Sequence, residues 1–164
     1  MKPIHTFFAA AGLLLCSATA MAQTPPVPQY GANVTLDQAR KAMAAAIADS
    51  RRQNLPMAIA VVDTSGQLVA FERMDNTQTA STMVAQDKAV SAAMYRRPTK
   101  VFQDLVAGGG VGTRVLGLRG ATPVEGGLPL LVDGKIIGAV GVSGGTSEQD
   151  GVVAKAAVDA VAAK

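Results

Sequence analysis

Apolar residues recur at helical spacing from Leu36 through Ala39, Met43, Ala46 and Ile47 to about Asn54, while Arg40, Lys41, Asp49 and Arg51 fall mostly off that face. Thr35 stands where its hydroxyl can cap the first turn, and Gln38 completes a capping box. Pro56 ends this first predicted helix. Residues 57–62 are then a short run of β-formers, Asp63-Thr64-Ser65-Gly66 supplies turn chemistry, and residues 68–74 return as a second strand. Together, 57–74 read as a β-hairpin. Helical spacing resumes over about 79–95, with Met83, Val84, Val90, Ala93 and Met94 apolar. Arg97-Pro98-Thr99 interrupts it and starts a third helix, whose apolar face is Val101, Phe102, Leu105 and Val106 and whose end is Gly108-Gly109-Gly110.

The last third is β-rich. Residues 113–118, 128–132 and 135–142 are predicted strands, the last two joined by Asp133-Gly134, a strong hairpin signal. A final helix starts at Thr146, with Gln149 as capping-box partner, and carries Val152, Val153, Ala156, Ala157 and Val161. The predicted order is α-β-β-α-α-β-β-β-α. It implies one α+β domain in which an antiparallel five-stranded sheet is flanked by helices that bury their apolar stripes on it.

The N-terminus follows a different logic. Lys2 opens the chain, residues 7–16 are almost unbroken apolar, and Ala20-Met21-Ala22 gives the small-x-small pattern of a signal peptidase site. Residues 1–22 are therefore expected to be a cleavable leader and the product periplasmic or secreted. The apolar run is short of the roughly 20 residues that span a bilayer, so no stable membrane anchor is expected. Leu15 directly before Cys16 argues against lipidation of that thiol. Residues 23–34, with Pro25, Pro26, Pro28 and Gly31, read as a flexible or extended arm ahead of a domain over 35–164.

Removing the leader takes away His5 and Cys16, the only histidine and the only cysteine. Disulfides and thiol chemistry go with them, and so does an ordinary zinc site. The scattered carboxylates make no calcium-loop series, so no metal site is expected. With 15 basic against 12 acidic residues and 4% aromatics, the chain shows neither a clustered basic face nor a stacking surface, and nucleic acid is excluded as a partner.

Gly141-Val142-Ser143-Gly144-Gly145 matches G-x-S-x-G between a strand and a helix. A nucleophilic serine needs a base. Without histidine, only a Ser-Lys arrangement with Lys88, Lys135 or Lys155 remains, and a tight turn into a capped helix explains the same glycines. The amides opening the last helix also define a candidate anion site: Gly126, Gly127, Ser143, Gly144, Gly145 and Thr146. Gly108 to Gly112 lacks the lysine of a phosphate loop and reads as a mobile loop. Asp87-Lys88, inside an apolar helix, is either an inward pair or a solvated one. The methionines downstream of the leader read mostly as packing groups.

Taken in order, Val61-Val62-Asp63 with Gly66, Glu72-Arg73-Met74-Asp75, Asp87-Lys88-Ala89, Arg97-Pro98-Thr99, Gly126-Gly127-Leu128-Pro129, Asp133-Gly134 and the stretch from Ile137 to Gly145 and on to Gln149-Asp150 resemble the GlcG/HbpS family, which includes the C-terminal domain of PduO proteins. The resemblance runs from about Thr35 to Ala163. It implies a profilin- or PAS-like sheet flanked by helices, a homo-oligomer, and haem as cofactor, some members taking part in haem degradation. Where some relatives use a first-helix histidine as haem ligand, this chain has none. Met43 and Tyr95 are then the candidate iron ligands, and Arg73, Arg96, Arg97 or Arg114 the candidates for pairing with haem carboxylates. Three functions are expected in turn: an exported haem- or tetrapyrrole-binding protein without a histidine ligand, a small carboxylate- or hydroxy-acid-binding enzyme or accessory protein, and a non-catalytic structural oligomer.

Overall fold

A computed structural model describes residues 26–162; the leader expected over 1–22, and residues 23–25 of the arm, lie outside the described residues. Helix α1 spans Leu36–Arg52. Its entry is the expected capping box: the Gln38 amide donates to Thr35 Oγ1 at 3.2 Å while the Thr35 amide donates to Gln38 Oε1 at 2.9 Å, which satisfies donors that the first turn leaves without helical partners. Strands β1 (Ala58–Asp63) and β2 (Leu68–Arg73) form the first hairpin. Asp63 closes it, its Oδ1 accepting from the amides of Ser65 and Gln67 at 2.8 and 3.0 Å. Helices α2 (Ser81–Tyr95) and α3 (Thr99–Ala107) follow. Strands β3 (Gly127–Val132) and β4 (Lys135–Ser143) then turn through Asp133 and Gly134 at φ 49° and 73°, the left-handed pair that a two-residue hairpin favours. Helix α4 spans Ser147–Ala162. Among the described residues no helix is long and apolar enough to cross a membrane.

The sheet has four strands in the order β2-β1-β4-β3, every pair antiparallel. The fifth expected strand, residues 113–118, is a correction: Gly110–Gly117 is a 3-10 helix. Gly109 and Gly110 sit at φ 67° and 55°, which turns the chain back on α3, and a side chain at Gly112 would collide with the Leu105 carbonyl. The Thr113 hydroxyl donates to the Gly110 carbonyl at 2.8 Å and holds the tight turn. Val115 is buried, while Val111 and Leu116 are exposed. The segment therefore folds as a tight helical turn and adds no strand to the sheet.

In the arm, residues 29–34 run alongside the start of β4, beyond the end of β1. The Gly31 and Val34 amides donate to the carbonyls of Ile136 and Ile137 at 2.8 and 2.6 Å, and the Ile136 amide donates to the Gln29 carbonyl at 2.8 Å. This part of the arm is extended and hydrogen-bonded, with Val34 buried.

The two faces of the sheet are covered differently. On one, α1 and α4 pack Met43, Ile47 and Val153 against Ile59, Val61 and Val140. On the other, α2 lays Ala85, Ala89, Ala92 and Ala93 on Ala58, Ala60 and Ala139. The alternation of β1 sorts its residues between these layers. Helix α2 lies so close to β4 that a side chain at Gly141 would meet the Ala85 carbonyl and Ala89. Only small side chains fit there, so Met83 and Met94, expected on the apolar face, are instead exposed. Of the face expected on α3, Phe102 is buried, but Val101 and Leu105 remain exposed.

Candidate functional site

The glycine-rich entry to α4 is closed by the chain itself. Ser143 is 4% exposed and its hydroxyl donates to Ser81 Oγ at 3.0 Å; Lys88 reaches the Val142 carbonyl and not the serine. No Ser-Lys dyad forms. The amides expected to hold an external anion are already used: that of Gly145 donates to Asp150 Oδ1 at 3.0 Å and that of Thr146 to Gln149 Oε1 at 2.9 Å. The Gln149 amide donates back to Thr146 Oγ1 at 3.3 Å, completing the second expected capping box. Gly126 and Gly127 are there for close packing: a Cβ on Gly126 would lie 2.9 Å from Lys88 Nζ, and one on Gly127 would lie 2.6 Å from the Thr99 methyl and press on the Lys88 carbonyl.

Beneath these glycines lies an ion pair that the sequence pattern leaves undecided. Lys88 is 1% exposed; its ammonium donates to Asp150 Oδ2 at 2.7 Å and to the Val142 carbonyl at 3.1 Å. Burial pushes the Asp150 carboxyl above its ordinary range, against the downward pull of the Lys88 ammonium and the Gly145 and Gly144 amides. The pair joins α2, β4 and the first turn of α4. Both side chains are buried between these three elements, which places the pair in the frame of the molecule.

An open concavity lies elsewhere, at the junction of α2 and α3. Arg96 ends α2 at φ 55° and ψ 39°, and the amides of Arg96 and Arg97 return to the carbonyls of Ala93 and Ala92, both at 3.3 Å. A left-handed arginine costs about 1–2 kcal/mol where glycine would not. Part of that is offset by the Arg96 guanidinium lying over the Tyr30 ring at 5.4 Å. Tyr30 is itself fixed, its hydroxyl donating to the carbonyls of Ala93 and Met94 at 2.9 and 3.1 Å. Arg97 stacks over Phe102 at 5.6 Å and donates from Nε to the Tyr95 carbonyl at 3.1 Å. Pro98 then turns the chain into α3, and Thr99, fully buried, accepts from the Gly127 amide at 2.9 Å.

One lobe of the groove, about 290 Å³, lies between this turn and Leu128, Pro129 and Leu131 of β3, with Val158 of α4 as its far wall. A second, about 600 Å³, continues from the same turn toward Pro26, Val27 and Val101. These sizes are in the range of small-molecule sites. Neither lobe is lined by an acidic side chain, and among the described residues neither Arg96 nor Arg97 pairs with a carboxylate. Two guanidiniums held by aromatic rings beside apolar walls suit an amphipathic, flat, carboxylate-bearing ligand.

The other residues that the sequence nominates as ligand contacts fall apart from this groove. Met43 is 2% exposed in the core between α1 and the sheet, where its thioether packs and meets no ligand. Arg73 lines a separate cavity of about 340 Å³ with Arg51 and with Glu72 and Asp75, two carboxylates that would oppose an anion. Arg114 is exposed on the 3-10 helix. Tyr95 lies under the turn, but its hydroxyl donates to the Arg119 carbonyl at 2.7 Å and its ring meets Phe102 edge-on at 5.1 Å. The sequence points to the two arginines but not to the walls, because Pro28, Leu128 and Val158 come from three distant segments. The readable signal is Arg96-Arg97-Pro98 with no acid nearby in sequence.

Fold and groove thus describe a small α+β domain with an apolar cleft flanked by two arginines. The chain belongs to the HbpS-like family: the family model described as "Haem degrading protein HbpS-like" matches residues 34–159. It is 44% identical to protein GlcG of Escherichia coli strain K12 over 101 residues, 62% of this chain and 74% of GlcG. Among solved structures it resembles Klebsiella pneumoniae protein ORFY, with a TM-score of 0.75 and 30% identity over 87% of this chain and 99% of that one. It also resembles a PduOC structure solved as a haem complex, with a TM-score of 0.70 and 27% identity over 78% of this chain and 94% of that one.

Proposed function

We propose that the chain is an exported tetrapyrrole-binding protein whose haem-sized ligand sits in the Arg96–Arg97 groove, its carboxylates on the two guanidiniums and its ring against the proline and leucine walls. The observation that carries this reading is the pair of unneutralised, ring-stacked arginines beside an apolar cleft. Haem in the PduOC complex and the haem-degrading description of the family support the ligand class. The groove fits the porphyrin's ring and carboxylates; a haem bound there would bring an iron centre, and this chain's part is to hold and orient the ring. Export is supported by the leader pattern of residues 1–22. Self-association is supported by the apolar side chains left exposed on α3 and along the 3-10 helix to its end, Val101, Leu105, Val111, Leu116 and Leu118.

One preparation tests all three parts. Purified from the periplasmic fraction, the protein is expected to begin at Gln23 by intact mass, to scatter light as an oligomer, and to bind haemin at micromolar concentration with a shifted Soret band. Arg97→Gln is expected to weaken haemin binding by about tenfold, the worth of one charge-assisted contact at a half-exposed site. An uncleaved cytoplasmic chain would end the export reading, a monomer the oligomer reading, and an unchanged haemin spectrum the ligand reading.

A further inference from the structure

We infer that the groove holds a porphyrin through its ring faces and its carboxylates alone, with no protein ligand on the metal, so that an iron-free porphyrin dicarboxylate binds as well as haem. This rests on the tetrapyrrole reading above and narrows it to the part of the ligand that this chain recognises.

Among the described residues, the walls of the groove offer the metal no donor atom. Apart from the two arginines, the side chains facing the groove are prolines, valines and leucines, which carry no metal-donor atom. A guanidinium stays protonated and has no lone pair to give. Of the donor-bearing side chains near the turn, Met94 is exposed but lines neither lobe, and the Lys100 ammonium is held by Asp104. The hydroxyls are engaged in hydrogen bonds. The Tyr95 phenol donates to the Arg119 carbonyl, the Tyr30 phenol to the carbonyls of Ala93 and Met94, and the Thr99 hydroxyl accepts from the Gly127 amide. Met43, the other candidate ligand, is buried in the core. Iron ligation would require Tyr95, Tyr30 or Thr99 to give up its hydrogen bond, Met94 to turn into the groove, or Met43 to leave the core.

The cations, by contrast, are prepared for use. Each guanidinium lies over an aromatic ring, Arg96 on Tyr30 and Arg97 on Phe102, which restrains it before a ligand arrives and lowers the ordering cost of each contact. The Nε of Arg97 is taken by the Tyr95 carbonyl, leaving the paired terminal nitrogens as the donors for a bidentate carboxylate contact. Charge complementarity thus selects a dianionic ring. On this reading the metal adds nothing to the recognition, because no described wall residue brings a lone pair to it.

The test compares haemin, metal-free protoporphyrin and the dimethyl ester of metal-free protoporphyrin on the same purified protein, by absorbance and fluorescence titration. Haemin and the free acid are expected to bind within about threefold of each other, and the ester about tenfold or more weakly, since each lost carboxylate removes a charge-assisted contact. Bound haemin is expected to lack the absorption spectrum of iron ligated by nitrogen or sulfur. Arg96→Gln with Arg97→Gln is expected to weaken both acids by the same factor while the melting temperature stays near that of the parent.

Haemin binding tenfold or more tighter than the free acid, with a nitrogen- or sulfur-ligated spectrum, would overturn the inference and leave the tetrapyrrole reading standing. An ester that binds as well as the acid, or arginine variants that bind both acids unchanged, would overturn it by removing the carboxylate contacts. Binding of none of the three would end the tetrapyrrole reading itself and the inference with it.

Discussion

Lys88→Met is expected to destabilise the fold by about 3–5 kcal/mol, the cost of leaving one member of a buried ion pair without its partner. The substitution keeps most of the aliphatic stem and removes the ammonium, so Asp150 loses its 2.7 Å contact and the Val142 carbonyl loses a donor. The loss depends on pH with a definite sign. Burial already holds the Asp150 carboxyl above its ordinary value, so the folded state binds that proton more readily than the unfolded chain, and stability falls as pH rises through the folded pKa. Lys88 opposes that rise. Without it the folded pKa moves further up, and ionising Asp150 costs more. The variant is therefore expected to come closest to the parent at acid pH, below the ordinary carboxylate pKa of about 4, and to fall further behind as pH rises toward neutrality. Urea unfolding at the two pH values measures both effects, and a penalty independent of pH would contradict the assignment. Adding Asp150→Leu should recover much of the loss, because removing both charges leaves none stranded.

Gly127→Val is expected to cost about 3 kcal/mol, at the upper end of what overpacking a close-fitted interior does. Its first added carbon would stand 2.6 Å from the Thr99 methyl and against the Lys88 carbonyl, which binds α2, α3 and β3 at one point. Relief requires moving Thr99, whose hydroxyl accepts from the Gly127 amide, and Thr99 follows the Arg97–Pro98 turn directly. The variant should accordingly lose haemin affinity even where it remains folded. Gly117→Ala is the matched control: an added methyl there meets nothing within 4 Å, and its expected effect is under about 0.5 kcal/mol. Equal unfolding midpoints for the two variants would show that Gly127 is not a packing constraint.

Both predictions concern contacts that no local pattern discloses. The caps, hairpin turns and helix periods are written locally and are legible in the chain: Thr35 with Gln38, Asp63 before Gly66, and Asp133-Gly134 each act within a few residues. The inner face of α2 is not, because alanine and serine carry little periodic signal, so Met83 and Met94 stand out although the helix packs through its small side chains. Residues 113–118 carry Val115, Leu116 and Leu118 and read as a strand, yet glycines at 109, 110 and 112 fold them onto α3, a constraint visible only when α3 is in place. The glycines around Ser143 suggest an anion site or a nucleophile. Asp150, seven residues on, fills the anion's role from within and receives Lys88 from another helix.

By itself the sequence determined the α+β class, the helices, both hairpins and the family resemblance, since backbone hydrogen bonding, capping and burial period are short-range requirements. The absence of any histidine or cysteine after residue 16 also limits the ligand chemistry before any fold is known. Only the tertiary structure decided which cations stay free of acids and which lysine is buried. It alone brought Pro28, Arg96, Arg97, Leu128 and Val158 around one cleft. Those outcomes depend on which distant surfaces meet, and desolvation and charge pairing act through space between residues that the sequence keeps far apart.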